Sequence, residues 1–291
     1  KSGFALQFML DTSLSDLNKY PLKLNDLMIM SCDAKKAPEK LVFGIMKEIK
    51  ELPNVGLAGD KFYAPEAIVG DYIDYTGSLL VIDPSGRGSD ETAYAVIKML
   101  NGYLYVVECA GVDGGYSTPA LEHLAKKAKE HAVNMVLIES NFGDGMFTEL
   151  LKPILNKTYP TTIEEVRHSK QKEVRIIDTL EPLFNQHRII IDPRVIQNDY
   201  DSVQKYPAEQ AQRYMLTYQL TRITRDRGSL AHDDRLDVLA MGCKYFVDQM
   251  AADVNLMMDE RKDEVLRAEL DRFIGGFNIG SKGRPSALTA F

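Results

Sequence analysis

Three acidic signatures stand far apart in the chain: Ser78-Leu-Leu-Val-Ile-Asp83, Met135-Val-Leu-Ile-Glu139 and His232-Asp-Asp-Arg-Leu-Asp237. Two are apolar runs that read as buried strands ending in a carboxylate. The third reads as a helix opening on clustered Asp. Carboxylates at strand ends and at a helix start can converge on one point. Converged carboxylates repel unless a cation compensates them, and hard oxygen ligands select magnesium or manganese. The chemistry implied is metal-dependent phosphodiester hydrolysis, in which two divalent ions roughly 3.5–4 Å apart activate water and stabilise the leaving oxygen of an in-line displacement. In that scheme Asp83 bridges the ions, and Glu139 with Asp234 or Asp237 completes the coordination shells. His232 could orient or deprotonate the water.

Taken singly, each signature has a plainer explanation. Asp-Pro initiates turns, so Asp83 before Pro84 could be a turn former. Glu139 ends an apolar strand, where a charge needs either a metal or an Arg partner. Acids at a helix N-cap and first turn stabilise the helix dipole by about 0.3–1 kcal/mol. Asp233, Asp234 and Asp237 exceed that need, and both the 233/237 and 234/237 pairs have the spacing of one helical face. Which of the three binds metal stays open. Asp144 between two glycines reads as a turn residue. Gly86-Arg-Gly88, without a lysine and a following helix, is a poor phosphate cradle.

The elements that must position these groups follow from the pattern. Ser78–Asp83, Thr92–Leu100 and Tyr103–Ala110 read as strands, the last two joined by Asn101-Gly102, a strong hairpin signal because a type I′ turn needs positive φ at both central residues. The domain therefore opens with a three-stranded antiparallel meander. Helical spacing follows over Thr118–His131, then a strand at Met135–Glu139 and helices over Gly145–Asn156 and Glu173–Asn185. Arg188–Ile191 reads as a strand or extended edge, Tyr214–Ile223 as a strand or hairpin arm, and Asp233–Met250 and Val254–Phe273 as helices. Residues 38–52 read as a short amphipathic helix with Pro38 in its first turn. This order is that of the RNase H-like α/β fold, a mixed sheet (an antiparallel three-strand meander plus parallel strands) flanked by helices. In it the first strand lies beside the fourth, so their carboxylates can meet. The expected organisation is an attachment segment at 1–72, the RNase H-like domain at 73–274 and a disordered Gly- and Ser-rich tail at 275–291.

A chain of 291 residues with 45% hydrophobic content can bury a sizeable core. Cys32, Cys109 and Cys243 are too few and too scattered for a disulfide framework or a zinc site. A reducing cytosolic setting is the default, and no apolar run reaches the roughly 20 residues of a membrane span. The net charge of -7 runs against the basic excess of most duplex-binding domains, but it hides the distribution. Lys205, Arg213, Arg222, Arg225 and Arg227 cluster against Glu209 and Asp226. Arg167, Lys170, Lys172 and Arg175 form a second group. An acidic centre flanked by basic stretches is expected of a nuclease. Lys170, Lys172, Arg222 and Arg225 are the expected DNA-binding residues, and each group is equally compatible with ordinary solvated surface.

At these residues the sequence resembles the nuclease domain of the large terminase subunit of tailed phages, particularly of T7-like podoviruses. The segments that carry the resemblance are Val81–Thr92, Ile138–Gly145, Lys172–His187 and Leu220–Ala240, within roughly residues 70–250. It implies an RNase H/RuvC-like endonuclease that uses two Mg2+ or Mn2+ ions. Such an enzyme cuts concatemeric viral double-stranded DNA during genome packaging with low sequence specificity. By motif the acidic triad falls on Asp83, Glu139 and the Asp234/Asp237 pair, with Asp233 and His232 as auxiliaries. The resemblance further implies a portal protein and a small terminase subunit as partners, and the host cell cytoplasm rather than the virion as location. Such subunits also carry an upstream packaging ATPase, and no Gly-x-x-x-x-Gly-Lys-Ser/Thr loop occurs here. The chain, which opens without Met, is thus expected to be the nuclease part of a longer protein and not to hydrolyse ATP. Three rivals are a junction-resolving RuvC-like nuclease, an actin-like nucleotide-binding domain and a non-catalytic DNA- or portal-docking module. The actin-like reading needs a duplicated phosphate hairpin, for which Asp113-Gly-Gly115 is the sole candidate.

Overall fold

The computed structural model describes residues 19–85, 91–140 and 145–278. The Gly86-Arg-Gly88 loop, Asp144 and residues 279–291 of the expected tail lie outside them. The chain forms two compact units, Lys1–Phe246 and Val247–Phe291.

In chain order the strands of the first unit are β1 (Met28–Ile29), β2 (Lys36–Val42), β3 (Glu48–Ile49), β4 (Phe62–Tyr63), β5 (Ala67–Asp74), β6 (Gly77–Asp83), β7 (Thr92–Leu100), β8 (Tyr103–Val112), β9 (Met135–Glu139), β10 (Thr162–Val166) and β11 (Ile189–Ile191). From residue 20 on, the α-helices among the described residues are α1 (Thr118–Glu130), α2 (Met146–Thr158), α3 (Lys172–Asn185), α4 (Pro193–Ser202), α5 (Ala208–Ala211), α6 (Leu216–Arg222) and α7 (Asp234–Asn278), the last continuing into the second unit. Nine strands make one sheet in the order β10-β9-β6-β7-β8-β11-β1-β4-β3, and β2 with β5 makes a separate ribbon. β6, β7 and β8 form the expected antiparallel meander. Its hairpin turns at Asn101 and Gly102, whose φ values are 50° and 78°. β9 runs parallel to β6, and β10 parallel to β9. This is the RNase H-like arrangement, a mixed sheet flanked by helices.

Strand alternation sorts the two faces. Leu80, Ile82, Val136 and Ile138 point into a core closed by α1 and α2 through Leu121, Leu124, Ala128, Phe147, Leu151 and Leu155. The i, i+3, i+4 spacing of the buried α1 residues is why that segment is an amphipathic helix. Val81 faces the other way, where it meets the start of α7. A β-carbon built on Gly242 would lie 2.6 Å from Ile97 Cδ1 and 2.8 Å from Val81 Cγ2, so this helix sits against the sheet with room only for hydrogen.

Four local expectations differ from the structure. Residues 38–52 hold β2 and β3 rather than a helix. Pro38 sits at a register shift of the β2–β5 ribbon, opposite the stretch where Gly70 has φ 83°, and proline in a strand belongs at a bulge or edge. Tyr214–Ile223 is largely the helix α6, because the buried Asp199 accepts hydrogen bonds from the backbone N–H groups of Leu216 (2.9 Å) and Thr217 (3.3 Å). The cap comes from 17 residues upstream in sequence. β10 was not anticipated: it is a solvated edge strand whose Glu164 and Glu165 give no apolar alternation. The two late helices are one, since residues 251–253 are helical. Within the stretch 1–72, β1, β3 and β4 extend the main sheet beyond β11.

In the second unit, helical through Asn278, Val254, Leu256, Met257, Met258, Val265 and Leu266 are exposed, and Lys262 pairs with Asp259 at 2.9 Å. Among the described residues no helix is long and apolar enough to cross a membrane.

Candidate metal centre

The sheet itself sets two of the three carboxylates. β6 and β9 are parallel neighbours with Ile82 opposite Ile138, so Asp83 and Glu139 are the next residues on adjoining strands. Both share the parity of Val81, hence the face on which α7 packs. The first turn of α7 then brings Asp237 over the strand ends. Carboxylate oxygens of Asp83, Glu139 and Asp237 all lie within 4.8 Å of one another, close enough to hold one cation.

Two side chains from the first turn of α3 complete the cluster. Lys172 Nζ lies 2.7 Å from Asp233, 3.1 Å from Asp237 and 3.9 Å from both Asp83 and Asp234. Arg175, three residues on and thus on the same helical face, places Nη2 2.8 and 3.0 Å from the two oxygens of Asp237. Arg175 and Asp237 are both buried. The electrostatics follow from crowding. Burial pushes Asp83 well above the usual carboxylate range, and the neighbouring Glu139, Asp237 and Asp234 push it further, against the pull of Lys172. Glu139 is raised by burial and by Asp237. Burial disfavours the Lys172 ammonium, but Asp237, Asp233 and Asp83 outweigh it and hold the charge in place. Two cations face five carboxylates. The donor set is all hard oxygen and already draws an ammonium to its centre, so it fits a divalent cation.

The structure thus gathers Asp83, Glu139, Asp237, Asp234 and Asp233. Lys172 lies inside this cluster. Lys170 lines a cavity beside it. Arg222 and Arg225 are not brought to it. Arg222 donates to the carbonyls of Val55 and Gly56 at 3.0 and 3.2 Å and lies over the Tyr218 ring, while Arg225 pairs with Asp178 and Glu181 at 2.6 and 2.9 Å. His232 stacks on Tyr214, ring centroids 3.9 Å apart, and Tyr214 in turn on Tyr206.

Sequence reasoning passed over Arg235. Its side chain is 1% exposed, binds Glu91 through two hydrogen bonds of 2.6 and 2.9 Å, and reaches Asp199 at 2.8 Å and Ser202 at 2.9 Å. Glu91 immediately precedes β7, and its carboxyl fills the space above Gly111 that a β-carbon would need. One guanidinium therefore ties the acidic turn of α7 to β7, α4 and the cap of α6. The only sequence signal was an Arg inside an acidic motif.

Residues 82–189 match the model of the terminase of bacteriophage T7, Ribonuclease H-like domain. The chain is 46% identical over 255 residues to the terminase large subunit of Enterobacteria phage T3, an alignment covering 87% of this chain and 44% of that protein. It therefore spans less than half the length of this relative. Among solved structures, the human cytomegalovirus terminase nuclease domain aligns with a TM-score of 0.43 at 14% identity, over 62% of this chain and 87% of that one. The large terminase nuclease of the thermophilic phage G20c aligns with a TM-score of 0.40 at 11% identity, over 76% and 96%. By sequence the chain is thus similar to the terminase large subunit of a tailed phage, with residues 82–189 matching the T7-type RNase H-like domain.

Proposed function

We propose that this chain is a metal-dependent endonuclease that cuts concatemeric viral double-stranded DNA during genome packaging, with low sequence specificity. The observation that carries the proposal is the meeting of Asp83, Glu139 and Asp237 within 4.8 Å at the ends of two adjacent strands and a helix. Asp83 and Glu139 would hold one or two Mg2+ or Mn2+ ions together with Asp237 and Asp234. When bound, such ions supply Lewis-acid polarisation of the phosphoryl group and an activated water. The chain's own residues supply the rest. The sheet fixes the spacing of Asp83 and Glu139, Arg175 orients Asp237, and Lys172 balances the cluster's charge. The family match also supports a place in the packaging machinery of the infected cell. The expected partners are an ATPase domain in the same full-length protein, a portal protein and a small terminase subunit.

Plasmid cleavage tests this. The protein is expected to nick and cut supercoiled plasmid in Mg2+ or Mn2+ and not in EDTA. Asp83→Asn, Glu139→Gln and Asp237→Asn should each lower the rate at least 100-fold while duplex binding survives. Asp234→Asn, whose carboxylate is more exposed, should lose less. Full activity in Asp83→Asn would sink the proposal.

A further inference from the structure

Beside the acidic cluster lies a cavity of about 430 Å3 whose walls include Ser169, Lys170, Lys172, Glu173, Arg227 and Asp233. It shares Lys172 and Asp233 with the cluster, so anything filling it lies next to the reacting centre. Its two carboxylates are already engaged. Asp233 accepts from Lys172 at 2.7 Å, and Glu173, which is buried, accepts the backbone N–H of Gly228 at 2.5 Å. Lys170 and Arg227 are exposed, and neither makes a salt bridge within 4 Å among the described residues. Arg225, two residues away, is by contrast held by Asp178 and Glu181.

The loop carrying Arg227 is fixed on both sides. Gln171 Nε2 donates to the carbonyl of Arg225 at 3.1 Å, and Glu173 takes the N–H of Gly228. Gly228 adopts φ 68°, a conformation suited to glycine. Thr224 and Ser229 close the base of the loop, with Thr224 N donating to Ser229 Oγ at 3.2 Å and Ser229 Oγ donating to the Thr224 carbonyl at 3.3 Å. Gln171 and Glu173 flank Lys172 in sequence, so the same helical turn that sends Lys172 into the cluster anchors the Arg227 loop. Cations held at a set distance from a hydrolytic centre suit a repeating anion.

We infer that this cavity is a subsite for a non-scissile backbone phosphate of the nucleic-acid strand being cut, with Arg227 and Lys170 as its binding residues and the Glu173–Gly228 contact as its positioning device. The inference rests on the nuclease reading and adds a substrate contact to it. A phosphate contact sets register without reading bases, in keeping with low sequence specificity.

The test is fluorescence anisotropy of the full chain with a labelled 25-base-pair duplex in EDTA across a salt series. Arg227→Gln is expected to weaken binding about three- to tenfold at 100 mM salt. It should also lower the slope of log Kd against log salt by about 0.9, the value of one lost phosphate contact. Lys170→Gln with Arg227→Gln should lower it by about twice that, and Arg227→Lys should keep the slope. Lys126→Gln, a comparably exposed cation on the opposite sheet face, should change neither quantity. Unchanged affinity and slope in the double variant, with the wild type still cutting plasmid, would overturn the subsite and leave the nuclease standing. A wild type that binds with the stated slopes but cuts nothing would overturn the nuclease and not the contact. Displacement of duplex by inorganic phosphate at matched ionic strength, as effective as by unlabelled duplex, would make this a site for the free anion and overturn the assignment to nucleic acid.

Discussion

Replacing Lys172 by Met should make the protein less stable without a divalent ion and more responsive to one. The ammonium sits within 3.9 Å of four carboxylates. One ion pair near 4 Å is worth about 4 kcal/mol at an effective dielectric of about 20, but a sum of four such terms ignores desolvation and solvent screening. Bounds are more useful. Removing one partner of a fully buried pair costs about 3–5 kcal/mol, and of an exposed pair about 0–1 kcal/mol. The Lys172 side chain is 32% exposed and Asp237 0%, and Asp237 keeps Arg175, so a loss of about 2 kcal/mol is expected. For a domain of this size that lowers Tm by about 4–8 °C, readable by circular dichroism in EDTA. The deficit should also depend on pH. The folded-state pKa values of two carboxylates are raised, that of Asp83 by burial and the Glu139 charge, that of Glu139 by burial and the Asp237 charge. Their contribution to stability is therefore intact below about pH 4, the ordinary carboxylate value, and is lost as pH rises through the raised values. Without the ammonium those values rise further, so the gap between variant and wild type should open from about pH 4 upward. Bound Mn2+ at 100 times its Kd stabilises the folded state by about 2.7 kcal/mol. The variant, having lost a competing cation, should bind more tightly and gain more in Tm than the wild type at equal Mn2+. Equal Tm in EDTA at every pH, together with equal Mn2+ shifts, would refute the view of Lys172 as a charge held in the cation's place.

Other substitutions probe the frame. Arg235→Leu leaves Glu91 and Asp199 buried without their guanidinium, and urea unfolding should show a loss of about 3–5 kcal/mol. Glu108 is held down to about 2: burial would raise it, but hydrogen bonds from His131, Lys127 and Tyr94 prevail. Its stabilising effect is present above the ordinary carboxylate value and fades as pH falls through about 2, so Glu108→Gln should cost stability at pH 7 and flatten the acid limb of a Tm–pH curve. Gly242→Ala forces a β-carbon against Val81 and Ile97. Overpacking of this kind costs about 1–3 kcal/mol, less whatever the helix gains from alanine, and a thermal melt should register a net loss.

Much of the site was legible because its logic is local. Apolar runs ending in Asp83 and Glu139 declare strands, Asn101-Gly102 declares the hairpin, and the meander order makes β6 and β9 neighbours. What escaped depends on partners distant in sequence. α6 is a helix because Asp199 caps it, and Arg235 acts through Glu91, 144 residues earlier in the chain. Lys172 and Arg175 looked like two members of a basic run. Only the angle at which α3 meets the strand ends turns them inward, and hydropathy carries no such angle. β10 gave no signal because an edge strand can expose residues on both faces, here Thr162 and Glu164 on one and Glu165 on the other.

The placement of Asp83 and Glu139 on central, mutually hydrogen-bonded strands also fixes how fast the site can come apart. Val81, Ile82 and Ile138 are all but fully buried, and amides of such central strands are expected to exchange with solvent only through global opening. Asp233 and Asp234 stand at a helix end held by side chains instead, Arg235 on Glu91 and Asp199 and Lys172 on Asp233. One half of the centre is therefore held by a backbone ladder and the other by ion pairs, and a cation shared by Asp83 and Asp237 would act as a rivet between them, extending the protection of the sheet to the first turn of α7.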